Sequence, residues 1–412
     1  MKNLYIEKIS SLLLLLFFLI TPIANKLGFQ SIIIYTFLAI GTLFFIIPDS
    51  YSRNFLNNKI LRLWCIYIII GGISTLLFMP PNGLNSIFYE ITYTYICLTL
   101  LKHGNIFNFF IYFRNALLIL ALLTLFSQLS HINIFYFMNT GTAYTSYEAG
   151  ATAIFEYRHY YGVYLIIALI FNMFFPIKSI ILNFLSDILL FINILLTFTR
   201  NTWIILVVIL ILFYLKKEKQ INIKFIIRMF FSLMTFVLIY FLFNKQLSVL
   251  IGKVISRLTV LQVEANNYGG ISGARGYSFV YGIKYILDNW QRYIWIGGGN
   301  GFALNWLALN PYGLYIKWTS AIDNQYITSF MNSGIAGTLV IFIIIINGIM
   351  EFIHSKNRLT SAVSLSFIAM NIMMIFVDVL GFAVSPFILW IILIIVLGSR
   401  YENDQSTISL NN

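Results

Sequence analysis

The sequence predicts an all-α, polytopic integral membrane protein with about 12 transmembrane helices and both termini in the cytoplasm. Three observations carry that prediction. Only 10% of the residues are charged against 60% hydrophobic, with a mean hydropathy of +0.87, whereas a soluble domain is about 25% charged. Apolar stretches of spanning length recur along nearly the whole chain. The basic residues are also distributed unevenly around those stretches. With the N-terminus inside, sixteen of the 26 Lys and Arg residues, from Lys2 and Lys8 to Arg400, fall in cytoplasmic loops and flanks. Three (Lys26, Arg158 and Arg200) fall in short outer loops, which is a positive-inside bias. The net charge of +12 therefore reads as basic cytoplasmic loops beside membrane lipids, and no nucleic-acid partner is expected.

The apolar segments lie at roughly 8–24, 31–47, 61–79, 86–101, 108–129, 160–175, 179–198, 201–215, 225–243, 326–349, 361–379 and 383–398. In the first, "SSLLLLLFFLI" behind Lys2 and Lys8 has the look of a signal peptide. No small-x-small cleavage site follows, so "TPIANK" reads as the exit of a retained helix. Cys65 and Cys97 fall inside the third and fourth segments and read as buried thiols. The chain thus divides into helices 1–5 (1–130), an outer loop with helices 6–9 (131–244), a long outer loop (245–325), and helices 10–12 with a polar cytoplasmic tail (326–412).

Loops as long as 245–325 are rare without function. This one carries the remaining seven basic residues and four of the seven tryptophans, Trp290, Trp295, Trp306 and Trp318. Two helical patterns run through it. The first has Leu250, Ile251, Val254, Ile255, Leu258 and Leu261 on one side and Lys253 and Arg257 on the other. The second runs through Phe279, Val280, Ile283, Ile286, Leu287 and Trp290 behind Arg275. Both read as amphipathic helices lying on the outer leaflet.

Several residues could carry chemistry. Arg200 in "FTRNTW" stands between two apolar segments beside Thr199, Asn201 and Thr202, a hydrophilic mouth suited to a diphosphate. A bland alternative is an arginine snorkelling to headgroups. Arg275 follows "NNYGGISGA" at the head of an amphipathic helix, where a cation opposes the macrodipole and the exposed N–H groups favour an anion. "GGGNG" (297–301) reads as a tight turn returning the chain to the membrane, with a phosphate cradle as the alternative. Asp323 could accept a proton from a sugar hydroxyl, or cap the tenth helix with Asn324. Gly334 and Gly337 flatten one face of that helix for packing. Asp187, near the middle of the seventh segment with Asn183 and Asn193 nearby, is an intramembrane carboxylate and a functional candidate by default. Glu90 and Asp378 lie nearer the outer surface and read as solvated. The four histidines are scattered and form no metal constellation.

"LLTFTRNTWIILVVILILF", "SGARGYSFVYGIKYILDNWQRYIWIGGGNGF", "DNQYITSFMNSGIAGTLVIF" and, more faintly, "EYRHYYGVYLIIAL" together resemble the O-antigen polymerase and ligase superfamily of bacterial membrane glycosyltransferases. The marks stand in the family's order around one long outer loop, over residues 157–345. The resemblance implies a multi-pass protein of the bacterial inner membrane with its site on the extracytoplasmic side. Its substrate would be an undecaprenyl-diphosphate-linked oligosaccharide, its reaction a metal-independent transfer without a cofactor, and a chain-length regulator a further partner. Arg200 and Arg275 become catalytic diphosphate ligands and Asp323 the acceptor base. Arg158, Arg257, Lys284, Asn324 and Tyr326 become substrate-binding residues. Ligases carry His-Asn where this chain has Asp323-Asn324, which favours polymerase over ligase. A lipid-linked sugar flippase is the rival from another class: it suits the helix count and explains Asp187, but such transporters tend to show internal repeats and midplane sites.

Overall fold

The computed structural model describes residues 2–46, 58–130, 132, 134–135, 151–155, 157–217, 283–309, 324–380 and 384–397. These residues are helical with no strand among them. In chain order the helices are α1 (Lys2–Leu27), α2 (Gln30–Ile46), α3 (Lys59–Phe78), α4 (Gly83–His103), α5 (Ile106–Ser130), α6 (Arg158–Phe174), α7 (Ile180–Leu196) and α8 (Arg200–Lys217). Then follow two short helices, α9 (Trp290–Tyr293) and α10 (Phe302–Leu309), and three long ones, α11 (Gln325–His354), α12 (Arg358–Met374) and α13 (Val384–Leu397). Eleven of the apolar segments coincide with described helices, and 225–243 lies outside the described residues. Among the described residues four helices, α1, α3, α5 and α11, are long and apolar enough to cross a membrane.

Side-chain caps start several of them. Asn58 accepts from the amides of Ile60 and Leu61, Ser179 from that of Leu182, and Asn357 from that of Leu359. Met79 ends α3 in the left-handed conformation, just before Pro80 and Pro81, which a helix cannot absorb. α6 and α13 form the interior: every residue from Tyr160 to Asn172 and from Ser385 to Leu397 is buried. The peripheral helices do the opposite, leaving Ile180, Ile181 and Ile46 at least 70% exposed. An apolar outer surface of this kind suits lipid and not water. Cys97 is buried as expected, but Cys65 faces outward from α3.

Interhelical bonds define the two ends of the bundle. At one end Asn58 donates to the Ile395 carbonyl (3.0 Å), joining the start of α3 to the end of α13. There also Lys216 donates to Ile353 O (2.8 Å), joining the ends of α8 and α11. At the opposite end the starts of α4, α6, α8 and α11 come together, and the candidate site lies there.

Candidate functional site

The segment 283–309 does not lie wholly on the bundle's outside: its glycine turn inserts between α3 and α11. The insertion requires a break in α11. Gly334 has φ +62 and ψ −161 inside an otherwise helical run, which frees carbonyls before it and amides after it. Those groups could not stay unpaired in a bundle interior. The turn supplies the partners. The Gly298 and Gly299 amides donate to Met331 O and Asn332 O (both 2.9 Å), and Ile335 and Ala336 donate to Ile294 O and Trp295 O (2.8 and 3.0 Å). Gly334 is thus a backbone junction, in place of the flat packing face that its sequence context suggests. Gly337, whose added Cβ would lie 3.4 Å from the Tyr67 ring, is the one that faces α3.

On its other side the turn is held by α3 and α4. Ser74 donates to Gly297 O (3.1 Å), the Asn300 amide donates to Thr75 Oγ1 (2.8 Å), and Asn300 Nδ2 donates to Glu90 Oε1 (2.9 Å). The Gly297 amide is taken by Tyr293 O (2.7 Å). With the amides of 297–300 all donated within the fold, the segment serves as a tight turn and offers no phosphate cradle from those groups.

Beside the turn opens a cleft of about 120 Å³, lined by Tyr67, Glu90, Tyr93, Asn300, Gln325 and Asp378 among others. Glu90 is 8% exposed and Asp378 2%, so both carboxylates are buried within the fold and not solvated, as their sequence positions had suggested. Gln325 clamps one wall: its Oε1 accepts from the Val379 and Leu380 amides (2.8 and 2.6 Å) and its Nε2 donates to Ser329 (3.0 Å).

Two arginines open helices at this end of the bundle. Arg158 opens α6 and Arg200 opens α8. Gly162 lets the two helices meet, since a Cβ there would come 2.5 Å from Thr202 Cγ2. Tyr160, two residues beyond Arg158, donates to the backbone carbonyl of Asp378 (2.8 Å), so the α6 start and the cleft share the 378 turn. The threonines near Arg200 do not form a mouth. Thr199 and Thr202 are buried at 8% and 1% exposure. Their hydroxyls bond to each other and to Thr197 (2.5 and 2.9 Å), fastening the sharp turn in which Phe198 has φ +50.

The other expected site residues divide three ways. Arg275, Arg257 and Asp323 lie outside the described residues. Lys284 is exposed on the helical stretch 283–288. There Ile286 packs with Tyr293, Trp306 and Met331 in a small second core. Asn324 and Tyr326 are engaged in the fold. The Asn324 side chain accepts from the Tyr326 and Ile327 amides (3.0 and 3.2 Å) and donates to Ile375 O (3.0 Å), so Asn324 is the cap of α11. Tyr326 donates to Asn371 O (2.9 Å) and stacks on Phe342 at 5.5 Å.

Asp187 lies toward the opposite end. Its two oxygens accept from Asn172 (2.7 Å) and Asn183 (3.2 Å). Asn172 also accepts from Arg114 (3.4 Å), which donates to Phe175 O as well (2.7 Å). The carboxylate therefore has a buried counter-cation linked to it through one amide. Sequence reasoning missed that partnership, and it missed Glu90, Asn300 and Gln325. Glu90 was findable, because the rule that singles out an intramembrane carboxylate applies to it as well as to Asp187.

Fold and site together define a helical membrane protein with a buried polar cleft and two helix-opening arginines at one end. Residues 185–342, under half of the chain, match a family model described as O-antigen ligase, which supports the O-antigen ligase and polymerase superfamily. That family is one of membrane glycosyltransferase-like enzymes of ligase or polymerase type. The match runs from the middle of α7 through Arg200 and the glycine turn to beyond the α11 kink. No curated protein matches the chain.

Proposed function

We propose that the protein is a polysaccharide polymerase that moves a growing glycan from undecaprenyl diphosphate onto a lipid-linked repeat unit, outside the cytoplasmic membrane. The observation that carries the reading is that the family-matched segment includes Arg200, whose helix start adjoins that of Arg158 beside the polar cleft. In the transfer, an acceptor hydroxyl oxygen bonds to the anomeric carbon while that carbon's bond to the diphosphate breaks. The electron pair leaves on the diphosphate oxygen, and the hydroxyl proton passes to Asp323. Charge grows on the leaving oxygen, so fixed guanidinium groups and helix N-termini stabilise the transition state more than the ground state. In the proposed transfer Arg158 and Arg200 do this, with Arg275 as a third ligand. Among the described residues no three His, Cys, Asp or Glu side chains gather at metal-ligand spacing, and the proposed transfer assigns the charge-stabilising role to arginine. Aspartate at 323, where ligases carry histidine, favours polymerase over ligase.

The test is polymerisation by purified protein in detergent, supplied with lipid-linked repeat units so that no flipping is needed. Wild type should build a ladder that survives EDTA. Arg200→Ala should slow it by about 10²- to 10³-fold with the protein still folded. Arg200→Lys should restore little, because a point charge cannot reproduce the bidentate fork. Transfer of single repeats to a lipid A-core acceptor without a ladder would instead make the chain a ligase.

A further inference from the structure

We propose that the cleft beside the glycine turn is a subsite for an uncharged sugar of the repeat unit, with the Glu90 carboxylate as its hydroxyl ligand. The assignment rests on the transferase reading and concerns a part of the molecule that the reading leaves unused. Glu90 and Asp378 lie outside the family-matched segment, and so do the α3 and α4 walls. The cleft therefore joins the matched glycine turn to surfaces that belong to other parts of the chain.

Three features select the ligand chemistry. First, its described lining contains no Lys, Arg or His and two carboxylates. A diphosphate would find no cation there to offset its charge, and the arginines that suit it open the neighbouring helices. Second, Glu90 is over nine-tenths buried, and while its Oε1 accepts from Asn300 (2.9 Å), its Oε2 has no hydrogen-bond partner. A buried carboxylate oxygen without a donor is costly, and a sugar hydroxyl supplies the missing donor. Third, the Tyr89 and Tyr93 rings stack at 5.9 Å and 16° along the same wall. They offer flat apolar surface, while Gln30, which donates to Tyr93 Oη (2.9 Å), and Asn332, which accepts from the Ala303 amide (2.9 Å), keep further donor and acceptor capacity. Apolar walls with a few convergent neutral polar groups fit a sugar ring, whose faces are C–H and whose rim is hydroxyl.

The test uses the full chain in detergent and a free single repeat-unit oligosaccharide, released by mild acid from the producing cell's own lipid-linked donor. Binding is followed by saturation-transfer NMR, with no lipid donor and no turnover. Wild type should bind it, and neither inorganic diphosphate nor magnesium should displace it. Glu90→Gln keeps an oxygen for Asn300 but puts an amide nitrogen, which cannot accept, where the sugar hydroxyl would meet the free carboxyl oxygen. It should weaken binding about 10- to 100-fold with an unchanged melting temperature. Should that variant fail to accumulate, Tyr89→Leu at the partly exposed rim replaces it, with weakened binding expected. Unchanged binding in the folded variant would overturn the subsite, as would displacement by diphosphate or a Glu90-dependent magnesium signal in place of a sugar signal. The two readings fail separately: wild type that polymerises beside an equally active, equally binding Glu90→Gln removes the subsite alone. Wild type that binds the oligosaccharide and never polymerises removes the polymerase alone.

Discussion

Asn324 closes the first turn of α11 with both its oxygen and its amide nitrogen engaged, and this changes what a substitution at Asp323 can report. From sequence either residue could cap the helix, and the two roles of Asp323, cap and base, were entangled. With the cap assigned to Asn324, Asp323→Ala as well as Asp323→Asn should leave the melting temperature unchanged. Both should abolish transfer if the carboxylate takes the acceptor proton. Normal ladders from either variant would remove Asp323 from the chemistry. Asn324→Ala should do the reverse and destabilise by about 1 kcal/mol through the lost cap, with the tie to Ile375 lost in addition. Position was legible where the local pattern decides it, as with Arg200 at a helix start. It was illegible where partners decide it: Glu90 reads as solvated in the sequence and is buried against Asn300, 210 residues away.

α11 and the glycine turn are one structural unit built from two distant stretches. In "QYITSFMNSGIAGTLVIF" the Ser333–Gly334 pair permits a kink, but the hydrophobic period continues across it. The break exists only because another backbone enters. That dependence makes Gly334 sensitive. A Cβ there would meet the Trp295 carbonyl carbon at 2.5 Å and the Gly297 nitrogen at 2.6 Å, backbone atoms that cannot rotate away. Gly334→Ala should lose about 1–3 kcal/mol to backbone strain alone, expel the turn and abolish transfer. Gly72→Ala on α3, where an added Cβ meets nothing within 4 Å, should be neutral or slightly stabilising. Thermal melts of the two in one detergent check this; equal melting would mean that the turn does not depend on the kink.

Among the described residues two buried polar groups lie at opposite ends of the bundle, and their separation bears on function class. The span pattern and the resemblance were readable because they depend on composition and local order. The pairing of Arg114 with Asp187 was not, since it joins three helices through one amide. A carboxylate that shuttles protons must be able to lose its partners, whereas Asp187 is held by two asparagines with a buried arginine behind them. The arrangement is that of a structural network, and Asp187→Asn should therefore be a stability mutant. Losing the hydrogen bonds to a charged group should cost about 1.5–3 kcal/mol and lower the yield of folded protein, while transfer per folded molecule stays near wild type. Proton-coupled transport inverts this outcome: Asp187→Asn would fold normally and be inactive, and Asp323→Asn would be tolerated. Measuring both variants for folded yield and for polymerisation from directly supplied lipid-linked units separates the classes. A well-folded, inactive Asp187→Asn would move the functional centre to the other end of the bundle.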